Sequence, residues 1–230
     1  MFFNELLLLT HIVIIAVTTF IALRLGQSAL VAFSVLQMIF ANMLVLKQTT
    51  LFGLNATCAD AFIIGSLLSF NLLNELYGPE VAKRTIPTTF VFAVFYAVMS
   101  YVHLGYMPSE FDMMHGHYYA IFAVAPWLIA GSIGVFLLAQ IIDYLLYRLF
   151  KRLWPNYMFM VRNALSLSIS QLFDTLSFSF ILYWLGIITN VFDIVVVSYA
   201  IKMVVIAIST PLVTSMLWLH RWLDRRGLPL

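Results

Sequence analysis

Long stretches of nearly unbroken apolar residues, separated by short polar or Pro/Gly segments, run through the whole chain. Runs such as 12–22 and 194–208 lack the two-residue alternation of barrel strands, which are about 10 residues long, so the spans they predict are helices. Taken end to end, the pattern predicts seven helices, at about 5–24, 28–46, 59–75, 86–105, 119–150, 163–186 and 192–219. Each approaches or exceeds the ~20 residues that cross a hydrocarbon core of about 30 Å. The fifth is long enough to tilt or project beyond it. The polar stretch 47–60, with its Asn, Thr and Gly residues, reads as an outer loop or a re-entrant piece. The expected fold class is all-α, a polytopic membrane helix bundle forming a single domain over residues 1–230.

Composition supports this and removes other classes. Of the 230 residues, 63% are hydrophobic and 10% charged, with a mean hydropathy of +1.00, against about 25% charged in soluble domains. Too little remains outside the spans for a soluble catalytic, nucleotide-binding or nucleic-acid-binding unit. The pattern G-x-x-x-x-G-K-[ST] is absent, so no ATPase of the chain's own is expected. In a membrane protein the placement of charge outweighs its sum of +2. Arg24; Lys83 and Arg84; Arg148, Lys151, Arg152 and Arg162; and Arg221, Arg225 and Arg226 fall at alternate connections, and Lys47 alone opposes them. That set marks the cytoplasmic side, with the N-terminus outside and the C-terminus inside. The first segment has neither a basic region before it nor a small-residue cleavage pattern after it, so it reads as a retained span. Cys58, the single cysteine, excludes an intrachain disulfide and reads as a buried structural thiol.

A charged side chain near mid-bilayer costs at least about 2.5–3.5 kcal/mol, so each one there needs a reason. The residues in question are Asp60, Asn71, Asn74, Glu75, Gln140, Asp143, Gln171, Asp174 and Lys202. Gln140-Ile-Ile-Asp143 and Gln171-Leu-Phe-Asp174 repeat one constellation, an amide and a carboxylate on the same helix face about 5–6 Å apart. A planar heterocycle with two adjacent N–H donors beside a carbonyl, such as a guanine-like edge, complements such a pair: the carboxylate accepts and the amide donates. Asn74-Glu75 is a weaker echo, since neighbours in sequence do not share a face. Interhelical bonding at about 0.6 kcal/mol per contact, with the carboxylates paired to Lys202 or Arg162, is the competing explanation. Two such pairs and an intramembrane lysine favour a substrate cavity. Tyr147 and Phe178, four residues beyond the two aspartates, are the candidate stacking rings. His115 and His117, with Glu110 and Asp112, are too sparse to expect a metal; His11 reads as a packing residue. No cofactor and no catalytic residue is expected.

Several blocks together resemble a known family. These are Asn74-Glu75-Leu76-Tyr77-Gly78 followed by Ala82-Lys83-Arg84; Gln140-Ile-Ile-Asp143; Arg162-Asn163 leading into Ser170-Gln171-Leu-Phe-Asp174-Thr175; and Lys202 with Thr210-Pro211. Their order and spacing are similar to the queuosine precursor transporters, within the broader group of vitamin uptake transporters, and the match extends to Asn42. The resemblance implies a six-helix core preceded here by one added N-terminal helix. It implies a bacterial inner-membrane protein importing 7-cyano-7-deazaguanine, 7-aminomethyl-7-deazaguanine or queuine for tRNA modification. Asn42, Asn71, Asn74, Glu75, Gln140, Asp143, Tyr147, Arg162, Asn163, Gln171, Asp174, Phe178 and Lys202 are then the candidate substrate residues. Glu75 stands where some members carry another polar residue, which leaves the preferred precursor open.

Three functions are compatible with these residues. A stand-alone carrier would bind the base with Asp143 and Asp174, oriented by Gln140 and Gln171, while Lys202 neutralises both carboxylates in the empty state. A substrate-binding subunit of an energy-coupling-factor system matches in size but lacks an Ala-x-x-x-Ala docking pattern in the first helix. An intramembrane aspartyl protease would need Asp143 and Asp174 to meet at one bond, without the glycine-flanked motif expected there. The partners expected are a small deazapurine and the lipid bilayer, with a homodimer left open and no nucleic acid.

Overall fold

Among the described residues the chain forms eight helices and one hairpin: α1 (Phe3–Leu25), α2 (Gln27–Leu44), β1 (Gln48–Leu51), β2 (Leu54–Thr57), α3 (Asp60–Leu76), α4 (Pro79–Leu104), α5 (His115–Phe122), α6 (Pro126–Leu153), α7 (Phe159–Trp184) and α8 (Val191–Arg225). The structure, a computed structural model, describes residues 3–45, 47–57, 59–123, 126–155, 158–186 and 190–226. Cys58 lies outside the described residues.

Helices α1, α2, α4, α6, α7 and α8 are long and apolar enough to cross a membrane. They pack as a closed ring in which α1 touches α2, α2 touches α4, then α4–α6, α6–α7 and α7–α8, and α8 returns to α1. The remaining long helix, α3, touches all six. Its 17 residues sit at the lower limit of ~17 for a span, and 13 of them are buried, so α3 is the axis of the bundle rather than a lipid-facing wall. The N-terminal helix expected as an addition to a six-helix core is α1, and it closes the ring between α2 and α8.

Small and hydroxylic residues let α3 take this central place. Ser34 Oγ donates to Ser66 O at 3.1 Å, Ser66 Oγ donates back to Ser34 O at 2.8 Å, and Gln37 Nε2 donates to Ser69 Oγ at 3.2 Å. At Gly65 a Cβ would collide with the Gln37 side chain and with Ile15. Gly65→Val should therefore lower thermal stability in detergent by about 1–3 kcal/mol through overpacking. An unchanged unfolding temperature would show that α1 and α2 can yield at this point.

Element boundaries differ from expectation where polar residues continue a helix. The helix expected at 86–105 starts at Pro79, whose fixed φ suits a first turn, after Gly78 makes the tight α3–α4 turn at φ 90 that glycine adopts freely. The helix expected at 119–150 is two elements, α5 and α6. The last helix runs on to Arg225. The 47–60 stretch forms a hairpin with Gln48 opposite Thr57, turning at Phe52 and Gly53 with φ of 52 and 79, both left-handed as a two-residue hairpin turn requires. Glu5 Oε1 accepts from Phe52 N at 2.8 Å and Asn4 Nδ2 donates to Thr50 O at 3.0 Å. Leu51 and Ala56 pack on Ile201, Leu8 and Val197, so the hairpin caps one end of the bundle.

Successive spans alternate in direction, which collects the ends of α1, α3, α6 and α8 and the starts of α2, α4 and α7 at the opposite end. The alternating basic residues gather there. Arg24 Nη1 lies 2.5 Å from Asp224 Oδ1 across the α1–α8 contact. This is called the basic end below.

Candidate functional site

Helix α7 is built inside out for a soluble protein. Its buried residues are Phe159, Arg162, Asn163, Ser166, Leu167, Ser170, Gln171, Asp174, Thr175 and Ser179, a stripe at three- and four-residue spacing that is polar at all but two positions. Meanwhile Leu165, Ile169, Leu172, Phe173, Leu176 and Phe180 are exposed, as a lipid-facing surface should be. Polar groups placed inward within a span mark a pathway or a site. Facing this stripe are α3, α6 and α8.

Two ion clusters close the stripe at its ends. At the basic end, Glu75 receives Lys151 Nζ at 2.9 Å, Arg162 Nη2 at 3.1 Å and Arg221 Nη2 at 3.2 Å, and Tyr147 Oη donates to it at 2.8 Å. Four elements therefore converge on one carboxylate: α3, α6 twice, α7 and α8. Tyr147 is fully buried, with the Arg162 guanidinium 5.9 Å from its ring and Phe159 edge-on at 6.0 Å. Nearer the hairpin end, Lys202 Nζ lies 2.5 Å from Asp174 Oδ2 and 4.0 Å from Asp60 Oδ1, joining α8, α7 and α3. Asp60, Asp174 and Lys202 are all buried.

Between the clusters lie further buried polar groups, some of them without a hydrogen-bond partner. Asp143 lies ten residues before the end of α6 and Ser170 eleven after the start of α7, so the antiparallel pair brings them to the same height. Gln140 and Gln171 lie close to that level. The polar side chains facing Asp143 are Ser166, Asn71 and Ser170, yet neither carboxylate oxygen has a hydrogen bond of good geometry, and the same holds for both amide atoms of Gln140 and of Gln171. All three side chains are 0% exposed. Asn71 Nδ2 donates to Asn163 Oδ1 at 2.9 Å and Asn163 Nδ2 donates to Thr210 Oγ1 at 3.4 Å, a bridge across α3, α7 and α8 that leaves Asn71 Oδ1 unpartnered. Buried polar groups are hydrogen-bonded in the great majority of cases, so these atoms mark a polar centre in the bundle.

Lys202 reaches Asp174 and Asp60 but makes no ion pair with Asp143 among the described residues, and Arg162 serves Glu75 rather than an aspartate of the repeated motif. The surroundings of Asp143 and Asp174 therefore differ, although their sequence contexts are alike. Tyr147 turns to Glu75, and Phe178 is half-buried. Asn74 is buried, with its Nδ2 unpartnered and its carbonyl 3.4 Å from Lys151 Nζ. Asn42 lies toward the hairpin end of α2, where Nδ2 donates to Met38 O at 3.0 Å and Ser132 Oγ donates to Oδ1 at 3.3 Å. Asp60, Ser166, Ser170, Thr210, Lys151 and Arg221 belong to these networks without having been singled out as site residues. For the hydroxyls the signal was present in the three- and four-residue spacing that runs through Asn163, Ser166, Ser170 and Asp174. A groove of about 790 Å³ opens between α2 and α4, lined in part by Gln27, Val31, Val35, Glu80, Arg84 and Phe92; none of the candidate residues lines it.

Residues 57–216 match the family described as "Putative vitamin uptake transporter". The match thus begins at the end of β2 and leaves α1 and α2 ahead of it. A "Probable queuosine precursor transporter" from Bacillus subtilis (strain 168) is 31% identical over 174 residues, covering 74% of this chain and 76% of that protein. No solved structure matches the chain.

Proposed function

From the premise that the chain belongs to the vitamin uptake transporter family and is a multi-pass membrane protein, we propose that it carries 7-deazaguanines, such as 7-cyano-7-deazaguanine, into the bacterial cell, with the basic end cytoplasmic. The name of the B. subtilis relative points to this substrate class. The observation that carries the reading is the level of Gln140, Asp143 and Gln171, three buried side chains from adjacent helices, the two amides without a hydrogen-bond partner and the carboxylate faced by Ser166, Asn71 and Ser170. Asp143 accepts two N–H groups of the guanine edge. The amides of Gln140 and Gln171 supply a donor for its carbonyl and an acceptor for its remaining N–H groups, and Asn71 Oδ1 adds a further acceptor. Asp174, already held by Lys202, acts beside this site rather than in it.

Transport then follows from the two ion clusters. Each ties together helices from opposite sides of the central stripe, and opening either end requires breaking its ion pairs while the other stays closed. The Gln-x-x-Asp sequence occurs on α6 and α7, which run in opposite directions, an arrangement suited to alternating access around a midplane site.

Competition binding on purified protein tests the substrate class. Guanine and 7-cyano-7-deazaguanine should displace a labelled 7-deazaguanine, and adenine should fail by at least about a hundredfold, because it presents an acceptor where Asp143 needs a donor. Equal displacement by adenine would remove the base-edge assignment. Uptake by the protein alone in vesicles separates a stand-alone carrier from a subunit that needs a separate ATPase.

A further inference from the structure

The Asp60–Lys202–Asp174 cluster sets two carboxylates against one ammonium, and we propose that it binds a proton that drives transport, with Asp60 as the group that takes it. This rests on the carrier reading above but not on the identity of the base. Lys202 Nζ sits on Asp174 at 2.5 Å and stands off from Asp60 Oδ1 at 4.0 Å. The other oxygen, Asp60 Oδ2, is buried with no partner, on a residue that is 4% exposed. With both acids ionised the cluster carries a net negative charge inside a membrane protein, which burial opposes. One proton on Asp60 Oδ2 makes it neutral.

Other charged groups do not take this role. The hairpin segment Gln48–Thr57 and helix α2 contain no charged residue. On α1, Glu5 is turned to Phe52 N, and the His11 ring lies edge-on to Phe62 at 4.3 Å. On α6, Asp143 belongs to the base site. A metal cation is disfavoured because the Lys202 ammonium already occupies the approach to both carboxylates and would repel it. Asp60 stands in the first turn of α3, where the helix dipole favours the anion while burial favours the acid. That opposition makes proton binding reversible.

Coupling to substrate runs along α7. Asp174 lies one turn from Gln171, so a displacement of α7 that engages the base also moves one member of the cluster. When the hairpin end is open, water protonates Asp60; the neutral cluster then closes. When the basic end opens, the stripe of Gln171, Ser170, Ser166 and Asn163 admits water, the Asp60 O–H bond breaks, and that water takes the proton.

The test uses purified protein in liposomes with the membrane potential clamped and labelled 7-cyano-7-deazaguanine outside. With the outside one pH unit more acidic, the wild type should accumulate the label up to about tenfold, the limit for one proton per neutral substrate. Asp60→Asn should retain substrate counterflow, which shows a folded carrier, and should equilibrate without accumulating. A second readout needs no substrate: the infrared band of a protonated carboxyl should lose a component in Asp60→Asn that Asp143→Asn, which removes another buried acid, retains. If that variant does not insert, Asp60→Glu should accumulate with a shifted pH midpoint. Accumulation by Asp60→Asn equal to wild type, an unshifted midpoint in Asp60→Glu, or accumulation driven by a sodium gradient at equal pH would each overturn the proposal. Absence of wild-type counterflow would instead count against the deazaguanine reading, and the infrared band would still decide the proton site.

Discussion

Asp143→Asn should abolish substrate binding while leaving the protein at least as stable as the wild type. Each charge-assisted hydrogen bond to the carboxylate contributes about 1.5–3 kcal/mol, and the substitution turns one acceptor into a donor that faces the donors of the base. The combined loss is at least about 3 kcal/mol, a factor of roughly a hundred or more in affinity. Stability moves the other way, because Asp143 is 0% exposed with no cation paired to it among the described residues, and a neutral amide is cheaper to bury than an ion. Isothermal titration and thermal unfolding on the same detergent sample read both quantities. A drop in unfolding temperature with affinity unchanged would mean that Asp143 is interhelical adhesive, the competing explanation for the Gln-x-x-Asp motif. Gain of stability with loss of binding is the pattern of a site held in tension for its ligand.

Asp143 also shows how far the sequence reaches. Spacing alone places Gln140 with Asp143, and Gln171 with Asp174, on single helix faces, and all four are buried. What spacing cannot express is which partner approaches each face. Lys202 is 28 residues from Asp174 and Arg162 is 87 from Glu75, so nothing local assigns the lysine to Asp174 and Asp60, or the arginine to Glu75. Two motifs alike in sequence therefore end in different surroundings, one paired and one not. The serines of α7 were legible in principle, since they share the spacing of the charged positions, but a hydroxyl inside a helix commonly bonds its own backbone, as Thr175 does to Gln171 O at 2.8 Å.

The fold divides in the same way. Apolar runs locate the long helices, because lipid demands length and hydrophobicity of each one. They do not reveal that α3 is enclosed by the other six, since a helix that is apolar all round reads alike whether it faces lipid or protein; its shortness and its Ser, Gly and Asn residues are the remaining clue. Nor does hydropathy register helices that continue past the bilayer. The first turns of α4 at Pro79 and Glu80 and the last of α8 at Arg221 and Arg225 are polar, and were excluded for that reason. The 48–57 hairpin escaped because its turn is Phe52-Gly53 rather than the Asn-Gly or Asp-Gly usual at such turns.

Glu75→Gln should be the most damaging single change to the basic end, and its effect should fall on stability and not on affinity. The substitution keeps size and shape but removes the carboxylate that Lys151, Arg162 and Arg221 share among the described residues. Lys151 and Arg221 have side chains 38% and 44% exposed, so water takes over their solvation and each pair contributes little. Arg162 is different: its side chain is 4% exposed, and stranding a buried cation costs about 3–5 kcal/mol. Thermal unfolding should fall accordingly, while the Kd of the folded fraction for a 7-deazaguanine is expected to stay within about twofold, because Glu75 is already engaged by Lys151, Arg162, Arg221 and Tyr147. Adding Arg162→Met to Glu75→Gln should recover most of the stability, since an apolar side chain of similar volume removes the uncompensated charge. Transport should not recover with it, because the α3–α7 ion pair that seals the basic end is gone. An affinity loss of tenfold or more with unfolding unchanged would place Glu75 on the substrate, as Asn74-Glu75 suggested when read as an echo of the amide-and-acid pairs. The double variant separates the two roles cleanly, because a substrate ligand gains nothing from removal of its neighbouring cation.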